Sequence, residues 1–89
     1  MLRITINHEA TATRFIVEGS LAGPPVEELK TCWHRVANAA PGLPLLVDLS
    51  AMTRIDSEGI ALLTEMHRHG VRLAAAGLMT QAIIEEITG

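Results

Sequence analysis

The chain has 89 residues, 48% of them hydrophobic, and a formal net charge of −3. One domain, residues 1–89, fits this length, and the apolar content supports a core and argues against disorder. Its Lys and Arg residues are scattered from Arg3 to Arg72, and Phe15 and Trp33 are the only aromatics, which speaks against a nucleic-acid surface.

Leu2, Ile4 and Ile6 alternate with Arg3, Thr5 and Asn7, the period of a strand with one buried face. Thr13 to Glu18 repeats that period through Phe15 and Val17, so the polar link His8 to Ala12 predicts a hairpin. Gly19 to Gly23 reads as a loop, and Pro24-Pro25 as a helix entry, where a missing N–H costs nothing. Glu27 and Glu28 suit the first turn of that helix, and Val26, Leu29, Trp33, Val36 and Ala37 form its apolar stripe. After Pro41-Gly42-Leu43-Pro44, the dense apolar run Leu45, Leu46, Val47 and Leu49 suits a strand covered on both faces.

A polar loop then leads to a helix over about Ser57 to His69, with Ile60, Leu63 and Met66 on its buried face, Leu62 beside it and Gly70 as C-terminal cap. Val71 to Ala75 reads as a strand, Gly77 to Thr80 as a turn and Gln81 to Ile87 as a final helix. The order predicts an α/β fold: a mixed four-stranded sheet, begun by a β-hairpin and continued by parallel crossovers, with about three helices mainly on one face. Cys32 is the only cysteine, so no intrachain disulfide can form. The N-terminal MLRITINHEA lacks an apolar signal core, and no run approaches the ~20 apolar residues of a membrane span. A complete, cytoplasmic chain without direct membrane insertion is the expectation.

The stretch Asp56-Ser57-Glu58-Gly59 carries the most chemistry. Asp56 is placed to cap the helix, and Glu58 to favour its dipole. Ser57 falls in the first turn with its hydroxyl near solvent, beside a glycine that lowers the steric wall. The stretch reads either as a well-made helix start or as a phosphoacceptor site. In the second case a phosphate adds about −1.5 to −2 charge beside Asp56 and Glu58, which a docked acidic partner would not tolerate.

VEGSLAGPPVEEL, LLVDLSAMTRIDSEGIALL and HGVRLAAAGLMTQAIIEEITG together resemble the STAS domain, the fold of anti-sigma-factor antagonists. The resemblance implies a STAS-like sheet and a module without enzymatic activity that regulates transcription by partner switching. In that family the serine after the aspartate of an Asp-Ser-Ser-Gly motif is phosphorylated by a kinase that is also the anti-sigma factor. The unphosphorylated form binds that factor and frees the sigma factor. Carried over, Ser57 is the phosphoacceptor, and Ile55, Asp56, Ser57, Glu58 and Gly59 form the partner-binding surface for an anti-sigma factor, serine kinase or other regulatory protein.

Three features depart from the pattern: Glu58 replaces a second Ser or Thr, Ala22 stands where many members carry Asp, and the sequence stops at Gly89 before a further strand and helix. Val71–Ala75 is then expected as an open edge that invites a homodimer or a protein partner. Small STAS subunits that scaffold the ATPase of lipid-transporting ABC complexes, without phosphorylation, are the alternative reading.

The remaining chemistry-bearing residues read as structural. His67 and His69 diverge on their helix, as do Cys32 and His34, so neither a metal site nor a catalytic pair is expected, and no cofactor. Glu27, Glu28, Glu85 and Glu86 are read as solvated helix surface, and Met52, Met66 and Met79 as gap fillers. No Gly-rich phosphate loop or triad-like set points to an enzyme.

Overall fold

The computed structural model describes residues 1–89 and opens with the hairpin that the alternation predicts, β1 (Leu2–His8) and β2 (Thr13–Leu21). There follow α1 (Pro25–Ala39), β3 (Leu45–Ile55), α2 (Ser57–Arg68), β4 (Arg72–Ala74) and α3 (Leu78–Thr88). The strands lie side by side in the order β1-β2-β3-β4; β1 and β2 are antiparallel, and the other pairs parallel. Leu2, Ile4 and Ile6 stand opposite Gly19, Val17 and Phe15, which in turn adjoin Val47 of β3 through Phe15. Residues directly opposite one another share a face, so these side chains point to one side of the sheet.

All three helices pack on that side. The two parallel crossovers, β2-α1-β3 and β3-α2-β4, step in the same direction across the sheet, and the right-handed rule for such connections places α1 and α2 together. Val26, Leu29, Trp33 and Val36 of α1 and Leu62, Leu63 and Met66 of α2 close over Phe15, Val17, Leu45, Val47 and Leu49. Phe15, Val17, Val47, Leu49, Leu63 and Met66 are wholly inaccessible to solvent, and each such side chain contributes about 1.5–3 kcal/mol of transfer free energy. No helix is long and apolar enough to cross a membrane.

The opposite face of the sheet carries no helix, so β3 is not covered on both sides as its composition predicts. Leu46 and Asp48 lie on that face and are only half-buried. There Arg14 spans the outer surface, with Nη1 3.7 Å from Asp48 Oδ2 and Nε 3.3 Å from Glu9 Oε2.

Five further expectations are corrected. β2 runs to Leu21 through the predicted loop, and β3 runs to Ile55 through polar Ser50 to Arg54, because these extensions pair with each other from Glu18↔Ala51 to Leu21↔Ile55. α3 starts at Leu78, three residues before the predicted Gln81, with Gly77 in extended conformation ahead of it. Ile60 is exposed (37%), because the buried stripe of α2 runs through Gly59, Leu62, Leu63 and Met66 instead. Met79 is 76% exposed and fills no gap.

Candidate functional site

Because β2, β3 and β4 are parallel, the helices that follow them all begin at one end of the sheet. The first turns of α1, with Glu27 and Glu28, of α2, with Ser57 and Glu58, and of α3, with Leu78 and Met79, therefore open onto a common surface. Such an end, beyond the carboxyl termini of parallel strands, is where open α/β sheets carry their sites.

Asp56 organises this end. Its backbone is extended, and its Oδ1 accepts a hydrogen bond from Gly59 N–H at 2.8 Å, capping α2. Its Oδ2 accepts from Gly23 N–H at 2.9 Å, and its own N–H donates to Leu21 O at 3.3 Å. Gly23 has φ +68°, a conformation that glycine adopts without strain. One carboxylate thus ties the loop between β2 and α1 to the start of α2. The N–H groups of Gly59 and then Gly23 stabilise the ionised form and hold the carboxyl below its usual range.

That shift predicts a stability effect in acid. The folded Asp56 carboxyl titrates below the ordinary 3.8, so its contribution is complete above that value and is lost as pH falls through the lower folded value. Asp48 acts in the same window, held low by the Ser50 hydroxyl and N–H and by Arg14. Asp56→Asn keeps an oxygen acceptor but removes the titrating group. The variant should lose less stability than the parent on acidification below about pH 4, measured by urea unfolding at stepped pH. Equal losses in the two proteins would reject the effect.

Ser57 is the first residue of α2 and is exposed, as is Glu58; Ile55 and Asp56 are half-buried. Gly59 is buried, and a Cβ there would approach Leu21 O to 2.5 Å and Ile55 Cγ1 to 2.7 Å. Its place is therefore to let α2 sit directly on the end of β2, not to clear space around the serine. Behind Ser57, Val26, Glu27 and Lys30 of α1 face Glu58, Ala61 and Glu65 of α2 across a shallow groove. Acid side chains predominate around it.

Two elements of this end have no clear sequence signal. Gly23 stands among other loop residues, and only the second oxygen of Asp56 gives its N–H a partner. Leu78 (89% exposed) and Met79 (76%) add an apolar step to the surface at the start of α3. No group of three His, Cys, Asp or Glu side chains is placed to hold a metal ion.

No protein-family model matches the sequence, and no curated protein matches it at a significant level. Solved structures do. An anti-sigma factor antagonist from Mycobacterium paratuberculosis superposes with a TM-score of 0.82 at 19% identity, covering 97% of this chain and 77% of that one. A protein from Shewanella loihica PV-4 with a SpoIIAA-like fold gives 0.62 at 15% identity over 96% of this chain and 75% of that chain. Part of a much longer chain, Mglu, gives 0.64 at 18% identity, where 82% of this chain matches 19% of that one. With its mixed four-stranded sheet and three helices on one face, the chain has the SpoIIAA-like fold of the anti-sigma factor antagonist that it matches.

Proposed function

We propose that this chain is a protein-binding regulatory module of the anti-sigma-factor-antagonist type, switched off by phosphorylation of Ser57. One observation carries the reading: an exposed hydroxyl follows an aspartate whose two carboxylate oxygens are both engaged by backbone N–H groups. Asp56 is fully occupied as a structural tie, so Ser57 is the side chain free for modification. A phosphate added there projects into solvent from a helix N-terminus that favours anions, and the fold tolerates it. The switch therefore acts on docking. Its partner is an anti-sigma factor with serine kinase activity, acting in the cytoplasm on transcription.

The docking end extends from Ile55–Gly59 to the apolar step of Leu78 and Met79. Replacing both by serine should change stability by no more than about 0.5 kcal/mol, since neither is packed. Loss of an apolar anchor at the same time should weaken partner binding about tenfold or more. Thermal melts and calorimetric titration separate the two effects, and unchanged affinity would remove α3 from the docking surface.

The experiment for the switch uses Ser57→Ala and Ser57→Asp chains as paired baits, followed by incubation of the captured kinase with ATP and phosphosite mapping. A single phosphate on the wild-type chain at Ser57, and capture by the Ala but not the Asp bait, is the expected result. An ABC-type ATPase held equally by both baits would instead establish the scaffold-subunit reading. β4 is an edge strand, and we place a second protein contact there through strand addition by another copy of the chain. A sedimentation mass of 9.6 kDa at tens of micromolar would reject that dimer.

A further inference from the structure

A second site lies at the opposite end of the molecule, where α1 and α2 finish and β3 begins. A cleft of about 380 Å³ opens between Trp33 and Ala37 of α1, Leu43 and Pro44 before β3, and His69 and Val71 after α2. It exists because small residues meet there: Ala37, Ala40, Gly42 and Gly70 supply no side chain able to fill it. Its size is at the lower end of the range for small-molecule pockets.

The chemistry of the lining is specific. Trp33, the only tryptophan, is 5% exposed, and its ring lies 4.8 Å from His34 and 5.4 Å from His69, the latter edge-to-face at 71°. His69 Nδ1 is 2.9 Å from Glu65 O. A carbonyl oxygen only accepts, so Nδ1 carries the hydrogen, and in the neutral ring Nε2 remains as an acceptor. The cleft thus offers apolar side chains interspersed with the polar backbone of small residues, with Trp33 and His69 on its wall and His69 as its side-chain acceptor. We infer that it binds a small, neutral aromatic molecule carrying a single O–H or N–H donor, of the size of phenol. The aromatic ring packs against Trp33 and the donor reaches His69 Nε2, as offset or edge-to-face ring pairs and single polar anchors do in apolar pockets. The site is independent of Ser57 and of any partner at the other end.

The test titrates the intact chain with phenol, toluene and cyclohexanol, followed by Trp33 emission and by amide NMR spectra. Phenol should saturate, moving the Trp33 indole N–H and the Gly42 and Gly70 amides. Toluene, which lacks the donor, and cyclohexanol, which lacks the aromatic ring, should each bind at least about threefold more weakly. His69→Leu, at an exposed position, should keep the fold and abolish the preference for phenol over toluene. A linear response to phenol, shifts centred elsewhere, equal affinity for all three probes, or a phenol preference that survives His69→Leu would each overturn the inference.

Discussion

Gly59→Ala is expected to destabilise the protein by about 3 kcal/mol, the upper part of the range for overpacked sites. The added methyl would meet Leu21 O at 2.5 Å, and a backbone carbonyl in the sheet cannot swing aside as a side-chain end can. That same carbonyl accepts the Asp56 N–H, so displacing it also strains the tie between β2 and α2. In a domain of this size the loss corresponds to a fall in Tm of roughly 12–24 °C. Thermal unfolding followed by circular dichroism measures it directly. A fall of only a degree or two would mean that α2 can slide away from β2. The neighbouring Glu58→Ala, at an exposed position where only a first-turn dipole interaction is lost, provides the control and should stay within about 1 kcal/mol.

Ser57→Asp is expected to weaken partner binding at least tenfold, equivalent to about 1.4 kcal/mol, while Ser57→Ala stays within about threefold of wild type. The charge balance at the site decides the direction. Asp56 and Glu58 flank the serine, and the helix dipole returns only about 0.3–1 kcal/mol to an added anion. A carboxylate of a docked partner 4 Å away would be repelled by about 4 kcal/mol per unit charge near a protein surface, against about 1 in bulk water. An apolar partner surface fares no better, because it must strip water from the new charge. A phosphate, with about twice the charge of the aspartate, should do more than the substitution. Calorimetric titration of the purified partner with the three chains measures this series. Equal affinities would leave the docking end intact and remove the switch.

How much of this was legible in the chain differs by element. The hairpin, α1 and the capped start of α2 follow from local rules: strict alternation in β1, a proline pair ahead of Val26, and Asp56 before an apolar helix. The far halves of β2 and β3 do not. Gly19 to Leu21 and Ser50 to Ile55 have loop-like compositions and become strand because they pair with each other, with Gly19 and Ser20 also bonded to the start of β1. Helical periodicity identified α2 with Leu62, Leu63 and Met66 inward but misplaced Ile60, since a glycine scores as nothing in such a pattern although Gly59 lies close against Leu21 and Ile55. Of the candidate site, Asp56, Ser57 and Glu58 fall in one short motif. Gly23 and the Leu78–Met79 step do not, because parallel strands bring together helix starts that are remote in sequence.

The spatial order of the strands repeats their order in the chain, and this has a consequence for biosynthesis. As the polypeptide leaves the ribosome, each new strand docks beside one already formed, so no earlier gap must reopen to admit a later arrival. Growth proceeds outward from the hairpin, and the last unit added, β4 with α3, is held on one flank alone. In the unpaired monomer it should be the first to detach under mechanical load or transient opening, and its amide protons, like those of the other edge strand β1, should exchange faster than those of the doubly flanked β2 and β3.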